Sequence, residues 1–518
     1  MTKRVCVGMG LIVGLIGVLL ALRPLASWAD QLNDTATQPT YSVFAADGDT
    51  LDRPRPTLPD LSPYTAEATR ARVGEARVAP QVELRGVFKE FTLDDFTAGE
   101  RAKTWAKRQF SRPQAIFIRS GHVTPADVAR LLNQPRYFEE VEPRIFIARL
   151  PVVVEQGATL LIDGQETKEM RFSQQRGAFL VVDGRFFVFD ASVVAWNEAT
   201  QSQALFEHAK QFRPFYVAWG GSETYFVNAS FLSFGYQNSK SYGFTFSQYG
   251  ADVPQAQHRP SPKAWIINSH FSDNYFGFYC YESEGLVVLG NTYQDNIVYG
   301  IDPHDRSRHL VLANNHVFGT RKKHGIIVSR EVNDSWIFGN NSHNNALSGM
   351  VLDRASERNV LADNVVHHNG SDGITVYESS NNVMWKNTVH SNGKHGIRAR
   401  NSTGIKLYHN DVVGNGGYGI FGHVKDLSGT GRNFVLDPYV ADVSLVVNGG
   451  ILMSNRRGPL SVDQPSSLAV FNVDLRFPLH SLGLQFKGVL ADHQQAFLNI
   501  LLRDQRAVIV KREQAVGG

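Results

Sequence analysis

Tyr299, Asp302 and His304 lie within six residues of one another, in the run Tyr299-Gly-Ile-Asp-Pro-His304. An imidazole changes charge near neutral pH and a neighbouring carboxylate can orient it, so the grouping suits proton transfer. The cations around it narrow the chemistry. From Gly300 to Arg330 there are six lysines and arginines (Arg306, Arg308, Arg321, Lys322, Lys323, Arg330) against two acids, Asp302 and Asp305. Arginine grips a carboxylate with two parallel N–H donors, and lysine adds a compact charge. Taking a proton from a carbon beside a carboxylate builds an enolate-like dianion, which a cation on that carboxylate stabilises. Base and cations together point to an extended acidic ligand. A single tyrosine or histidine on a strand is more often surface decoration, so the grouping needs a scaffold that aims it.

That scaffold is visible as a repeat. A glycine followed by an apolar residue recurs at Gly277, Gly300, Gly325, Gly349, Gly373, Gly396 and Gly419, at intervals of 23, 25, 24, 24, 23 and 23. A period in this range marks a solenoid. The leucine-rich consensus is absent and each unit carries short β-type runs such as His309-Leu-Val-Leu312, so the spacing predicts an all-β fold, a right-handed parallel β-helix. Two asparagine registers follow the same period: Asn291, Asn315, Asn340, Asn364, Asn387 and Asn410, then Asn345, Asn369, Asn392 and Asn415. Asparagines stacked at a turn can hydrogen-bond from coil to coil. They read as structural.

Alternation along a strand sorts the rest. Positions one and three after the glycine, such as Ile301 and Pro303, or Ile326 and Val328, are apolar and belong inside, and Cys280 falls among them. Positions two and four after it, among them Tyr279, Asp302, Tyr281 and His304, are expected to face solvent on one continuous face. Tyr299, His324 and His395 before the glycine, and Arg330 and Arg354 after the strand, join that face only if the chain bends at both ends of the strand. With coils about 4.8 Å apart, Arg330 then sits one coil on from His304.

Beyond the repeat, the composition suits a globular protein. The N-terminus has the layout of a secretory signal peptide over 1–29: Lys3 and Arg4, an apolar run to Leu22, then Ser27-Trp-Ala29. Its removal takes three cations and no acids, so a net charge of +3 falls to about zero. Polyanion binding must then come from a local patch, and neither nucleic acid nor stable membrane insertion is expected. Residues 30–80 read as a mobile linker or extended leader. Residues 81–148 read as a mixed α/β accessory region, in which Thr124-Pro-Ala-Asp127 starts a helix. The β-helix is expected over 149–435. Residues 436–518 break the period and read as a cap on its open end, with a sugar-binding module as the alternative.

Tyr299-Gly-Ile-Asp302-Pro-His304-Asp305-Arg-Ser, with Arg321-Lys-Lys-His-Gly-Ile-Ile-Val-Ser-Arg330-Glu, resembles the signature of the mannuronan C5-epimerases, in particular the periplasmic kind of bacterial alginate biosynthesis. The resemblance spans the signal segment, the accessory region and the β-helix. It implies conversion of β-D-mannuronate to α-L-guluronate within the polymer in the periplasm, alongside other proteins of alginate export and modification. It also implies His304 as base, Arg330 as carboxylate neutraliser, and Tyr299 and Asp302 as groups that bind or complete proton transfer. Asp305, Lys323, His324 and Arg354 are the expected polyuronate-binding residues. No cofactor and no metal are expected, since the nonapeptide calcium repeats of the secreted relatives are missing. The residue types alone leave two other readings open: a polysaccharide lyase that expels the C4 oxygen by β-elimination, and a non-catalytic polyuronate-binding scaffold.

Overall fold

The apolar positions flanking each repeat glycine pack into one continuous core: Ile301, Ile326, Val328, Met350, Leu352, Ile374 and Val376 are all essentially buried, as is Cys280. The computed structural model describes residues 39–513 apart from 88–89, 98–104, 110–112, 250–258 and 477–485, so the expected signal segment lies outside the described residues. Each coil contributes one short strand to each of three parallel sheets, wound as a right-handed parallel β-helix. In the sheet that carries the candidate residues, Phe276–Tyr281, Tyr299–His304, Ile326–Ser329, Met350–Asp353, Ile374–Tyr377 and Ile397–Arg400 stack in order. Their register aligns Tyr281, His304, Ser329, Asp353, Tyr377 and Arg400.

The bend that the outward residues require after the strand is present, whereas before it the strand Tyr299–His304 runs through Gly300 unbroken. At Gly300 the coils pack so tightly that a Cβ would come within 2.3 Å of the Val317 side chain and 2.7 Å of the Gly325 carbonyl oxygen. After the strand, pairs of residues take left-handed backbone conformations: Asp305 and Arg306, Arg330 and Glu331, Arg354 and Ala355, with φ between 37° and 61°. Such φ values cost an L-residue about 1–2 kcal/mol each. Coil-to-coil hydrogen bonds hold them, with Arg330 N–H donating to the Asp353 carbonyl at 3.0 Å and Arg306 N–H to that of Arg330 at 2.8 Å.

The asparagines form the expected ladders. Asn364 is fully buried, and its Oδ1 accepts from both the backbone N–H (2.9 Å) and the Nδ2 (3.0 Å) of Asn340. Its own Nδ2 donates to the Ile337 carbonyl and to Asn387 Oδ1, at 2.8 and 2.9 Å. Alanine here would strand several buried donors and acceptors. An Asn364→Ala variant is expected to lose about 2–5 kcal/mol, at 1–3 kcal/mol for each stranded group, and to unfold at a clearly lower temperature by circular dichroism. An unchanged midpoint would refute the structural role.

The solenoid overruns both expected boundaries. It begins at Gln114–Val123, which pairs in parallel with Val152–Val154 and Ala158–Asp163, so part of the expected accessory region is its first coil. The helix Pro125–Leu132 has the expected cap, with Thr124 Oγ1 accepting from Asp127 N–H, and it buries Val128 against the core. At the other end Ser444–Asn448, Ile451–Met453 and Gly458–Asp463 continue the three sheets, so the expected cap region starts with further coils. The period is lost there because Ile420 pairs with Leu460, 40 residues on, across an inserted segment. The cap itself is later: Leu490, Phe497 and Leu501 close the core, and Ala507–Arg512 runs antiparallel to Ser467–Phe471 and to Tyr41–Ala46. From Tyr41 on, the N-terminal stretch is a leader laid on the coils rather than a linker. Arg70 pairs with Asp163 and Asp190, and Tyr64 packs edge-on against Trp265 at 4.9 Å.

Candidate active site

His304 ends the strand Tyr299–His304, and its partner is the next residue. Its Nδ1 lies 2.5 Å from Asp305 Oδ2. An ionised carboxylate only accepts, so Nδ1 carries the proton and the neutral ring keeps its lone pair on Nε2. Burial works against the imidazolium, but the hydrogen bond to Asp305 and the charges of Asp302 and Asp305 outweigh it and raise the pKa. Asp305 is held below the usual carboxylate range: burial opposes this, but His304 and Arg330 prevail.

Arg330 approaches the same carboxylate from the next coil, with Nη1 3.7 Å from Asp305 Oδ1. Its Nη2 lies 3.5 Å from Asp437 Oδ2. Both are ion-pair rather than hydrogen-bond distances. Its Nε is buried with no hydrogen-bond partner among the described residues. The guanidinium therefore holds a charge and unused donors beside the base.

Asp302 corrects an expectation. It lies on the outward side of its strand but is 2% exposed, and Ile327, Val351 and Thr375 at the same position of later coils are buried as well. These residues lie between two taller rows, Tyr299 and His324 on one side and His304 and Arg330 on the other. Burial pushes the Asp302 carboxyl up to about 7, against the pull of His304 and Lys323. Its Oδ1 has no hydrogen-bond partner among the described residues. A buried carboxyl of this kind exchanges a proton near neutrality.

Tyr299, at the other end of the strand, accepts a hydrogen bond from Lys323 Nζ at 3.1 Å, which leaves its own O–H free to donate. Burial, reinforced by Asp302, keeps it a phenol. His324 lies parallel to the Tyr299 ring at 6.1 Å, and its Nδ1 accepts from the Ser348 N–H at 3.1 Å. Burial, aided by Lys323, pushes its pKa down to about 4, so it is a neutral prop for Tyr299. Arg354 sits 3.4 Å from Asp353 and 3.6 Å from Asp437.

The strand and the coil after it thus bring Tyr299, Asp302, His304, Asp305, Lys323 and Arg330 to one cleft of about 590 Å³. His324 and Arg354 stand beside it. The cleft also takes Lys240 and Tyr242, which precede the regular repeat and carry no periodic signal. Asp437 is the other residue that the repeat could not reveal, because it lies in the insertion. Further along the face Arg400 grips Glu378 with two bonds, at 2.8 and 3.1 Å, and Arg398 donates to Tyr377 Oη at 3.2 Å. Those arginines are tied by hydrogen bonds, whereas the Arg330 side chain makes only ion-pair contacts among the described residues.

Residues 243–418, the central coils, match the family model NosD, described as a periplasmic copper-binding protein. Over nearly its whole length the chain is similar to mannuronan C5-epimerases. It is 51% identical over 471 residues to the one from Pseudomonas aeruginosa, covering 91% of this chain and 86% of the relative. The relative from Pseudomonas putida is 48% identical over 472 residues, 91% of this chain and 90% of its own. Mannuronan C5-epimerase AlgG of Azotobacter vinelandii is 47% identical over 504 residues, 96% and 95% of the two chains. Among solved structures, the periplasmic alginate epimerase AlgG superposes with a TM-score of 0.80 at 46% identity, covering 82% of this chain and all of that one.

Proposed function

The chain belongs to the mannuronan C5-epimerase family, and on that premise we propose how its own residues carry the reaction. The enzyme inverts C5 of β-D-mannuronate residues within the polymer to give α-L-guluronate. Arg330 pairs with the carboxylate of the reacting residue and stabilises the dianion that forms when the C5 proton leaves. His304 Nε2 takes that proton, with Asp305 holding the ring in the required tautomer and favouring the imidazolium product. C5 is then reprotonated from the opposite face, by Tyr299 or by a water molecule. Tyr299 and His304 are five residues apart, a strand span of about 16 Å, so a sugar ring between their side chains can present one face to each.

The observation that carries this reading is Arg330: a guanidinium beside the base, with its Nε buried and unpartnered and its outer nitrogens only loosely paired. Asp302 completes proton exchange or binds substrate hydroxyls, while Lys323 and Arg354 meet further carboxylates of the polyuronate. The reaction belongs in the periplasm, during export of the polymer and in company with other alginate export and modification proteins. The same groups could begin a β-elimination, and family membership separates the two outcomes. Incubation with polymannuronate is expected to build guluronate signals in the proton NMR spectrum, with deuterium at C5 in D2O. Absorbance from unsaturated ends should stay flat. Growth of that absorbance without guluronate would overturn the assignment.

A further inference from the structure

The insertion that breaks the repeat returns to the catalytic groups. Between the strands Tyr418–His423 and Ser444–Asn448 there are twenty residues, 424–443, whereas the preceding coil uses four, 401–404. The extra chain is fastened rather than loose. Arg432 donates from Nε to the Asp437 carbonyl at 2.8 Å, from Nη2 to the Pro438 carbonyl at 3.4 Å, and from Nη1 to Glu378 Oε2 at 2.8 Å. Glu378, buried in the next coil beyond Arg354, is itself gripped by Arg400. At the base of the segment, Tyr439 Oη accepts from the Leu427 N–H at 2.9 Å and donates to Asp426 Oδ1 at 3.1 Å.

These anchors set Asp437 against Arg330 at 3.5 Å and Arg354 at 3.6 Å. We propose that Asp437 is the resident counter-ion of the Arg330–Arg354 pair, presented by this strap and displaced when the uronate carboxylate arrives. The charges support the exchange. Without ligand, the two arginines already face three carboxylates, Asp305, Asp353 and Asp437, so an incoming carboxylate is a further negative charge unless one of them gives way. Asp305 is committed to His304 and Asp353 to Ser329 by hydrogen bonds, whereas Asp437, among the described residues, makes only ion-pair contacts through its side chain. Asp437 is the partner that can withdraw. The tip is a local turn, closed by the Val435 and Leu436 N–H groups on Asn433 Oδ1, and the Val435 and Leu436 side chains, 90% and 73% exposed, do not hold the Asp437 side chain in place. Asp437 therefore sets how tightly each uronate is held, and hence how readily the polymer moves on, more than how fast the proton moves.

This rests on Arg330 being the carboxylate neutraliser, and the test keeps the two ideas apart. Binding of a mannuronate hexamer is measured by calorimetry on the full mature chain, together with kcat and KM on polymannuronate, for wild type, Asp437→Asn and Arg432→Ala. Asp437→Asn keeps the shape and removes the charge. Its dissociation constant and KM are expected to fall roughly 3- to 10-fold, as for release of a partly exposed ion pair, with a smaller change in kcat. The gain should shrink as salt rises. Arg432→Ala, which removes the strap's tie to Glu378 and the bond to the Asp437 carbonyl but leaves the Asp437 carboxylate unchanged, should shift affinity the same way by less. Unchanged or weaker binding in Asp437→Asn, or a collapse of kcat with affinity unchanged, overturns the proposal. If Arg330→Ala is fully active, the neutraliser reading fails instead.

Discussion

Replacing His304 by alanine is expected to lower kcat on polymannuronate roughly 10²- to 10⁴-fold, the range that a positioned general base contributes. Affinity for the polymer should change far less, because the cations that meet its carboxylates stay in place. The expectation rests on one geometric fact: Nδ1 is committed to Asp305, so Nε2 is the nitrogen available to the cleft. The pH profile adds a second readout. His304 must be neutral to accept the C5 proton; burial lowers its pKa, but Asp305 and Asp302 outweigh it and hold the pKa above the ordinary imidazole value. The rate should therefore climb with pH, with a midpoint above the ordinary imidazole range. In Asp305→Asn the groups that favoured the imidazolium are weakened while burial remains, so the midpoint should move down as the maximal rate falls. Asp302, at about 7, titrates in the same window, so the wild-type limb reports the pair rather than either residue alone. A His304→Ala enzyme that keeps its rate would end the base assignment.

How much of this could be read from residue order depends on whether a feature repeats. Ile301, Ile326 and Met350 occupy equivalent environments in stacked coils, so one physical demand is written many times and the solenoid becomes visible. The asparagine ladders are legible for the same reason. Asp302 shows the limit: alternation put it on the outward side, but only the packed rows of larger side chains beside it reveal that this side is dry. The left-handed bend that turns Arg330 onto the face is formed by non-glycine residues, so no glycine marks it, and it had to be assumed. Asp437, Lys240 and the leader that packs Tyr64 on Trp265 are single events. Nothing in the period encodes them, and the insertion that carries Asp437 also hid the last coils.

Replacing Arg330 by alanine should cost about 10²- to 10³-fold in kcat/KM, near 3–4 kcal/mol of transition-state stabilisation, as for loss of one aligned donor at a developing anion. Arg330→Lys should recover part of it, since the charge returns and the planar fork does not. The acidic limb gives a check that general destabilisation would not reproduce. The Arg330 charge disfavours the His304 imidazolium, so its removal should raise the His304 pKa and move the limb to higher pH. That is the reverse of the shift expected for Asp305→Asn, although the two side chains face each other across 3.7 Å. Opposite shifts from two neighbouring substitutions, each with a lowered maximal rate, follow only if both charges act on the imidazole that moves the proton. Shifts in the same direction would place the titrating base elsewhere in the cleft. With the limb unmoved and the rate low, Arg330 would be left to act on the uronate carboxylate alone.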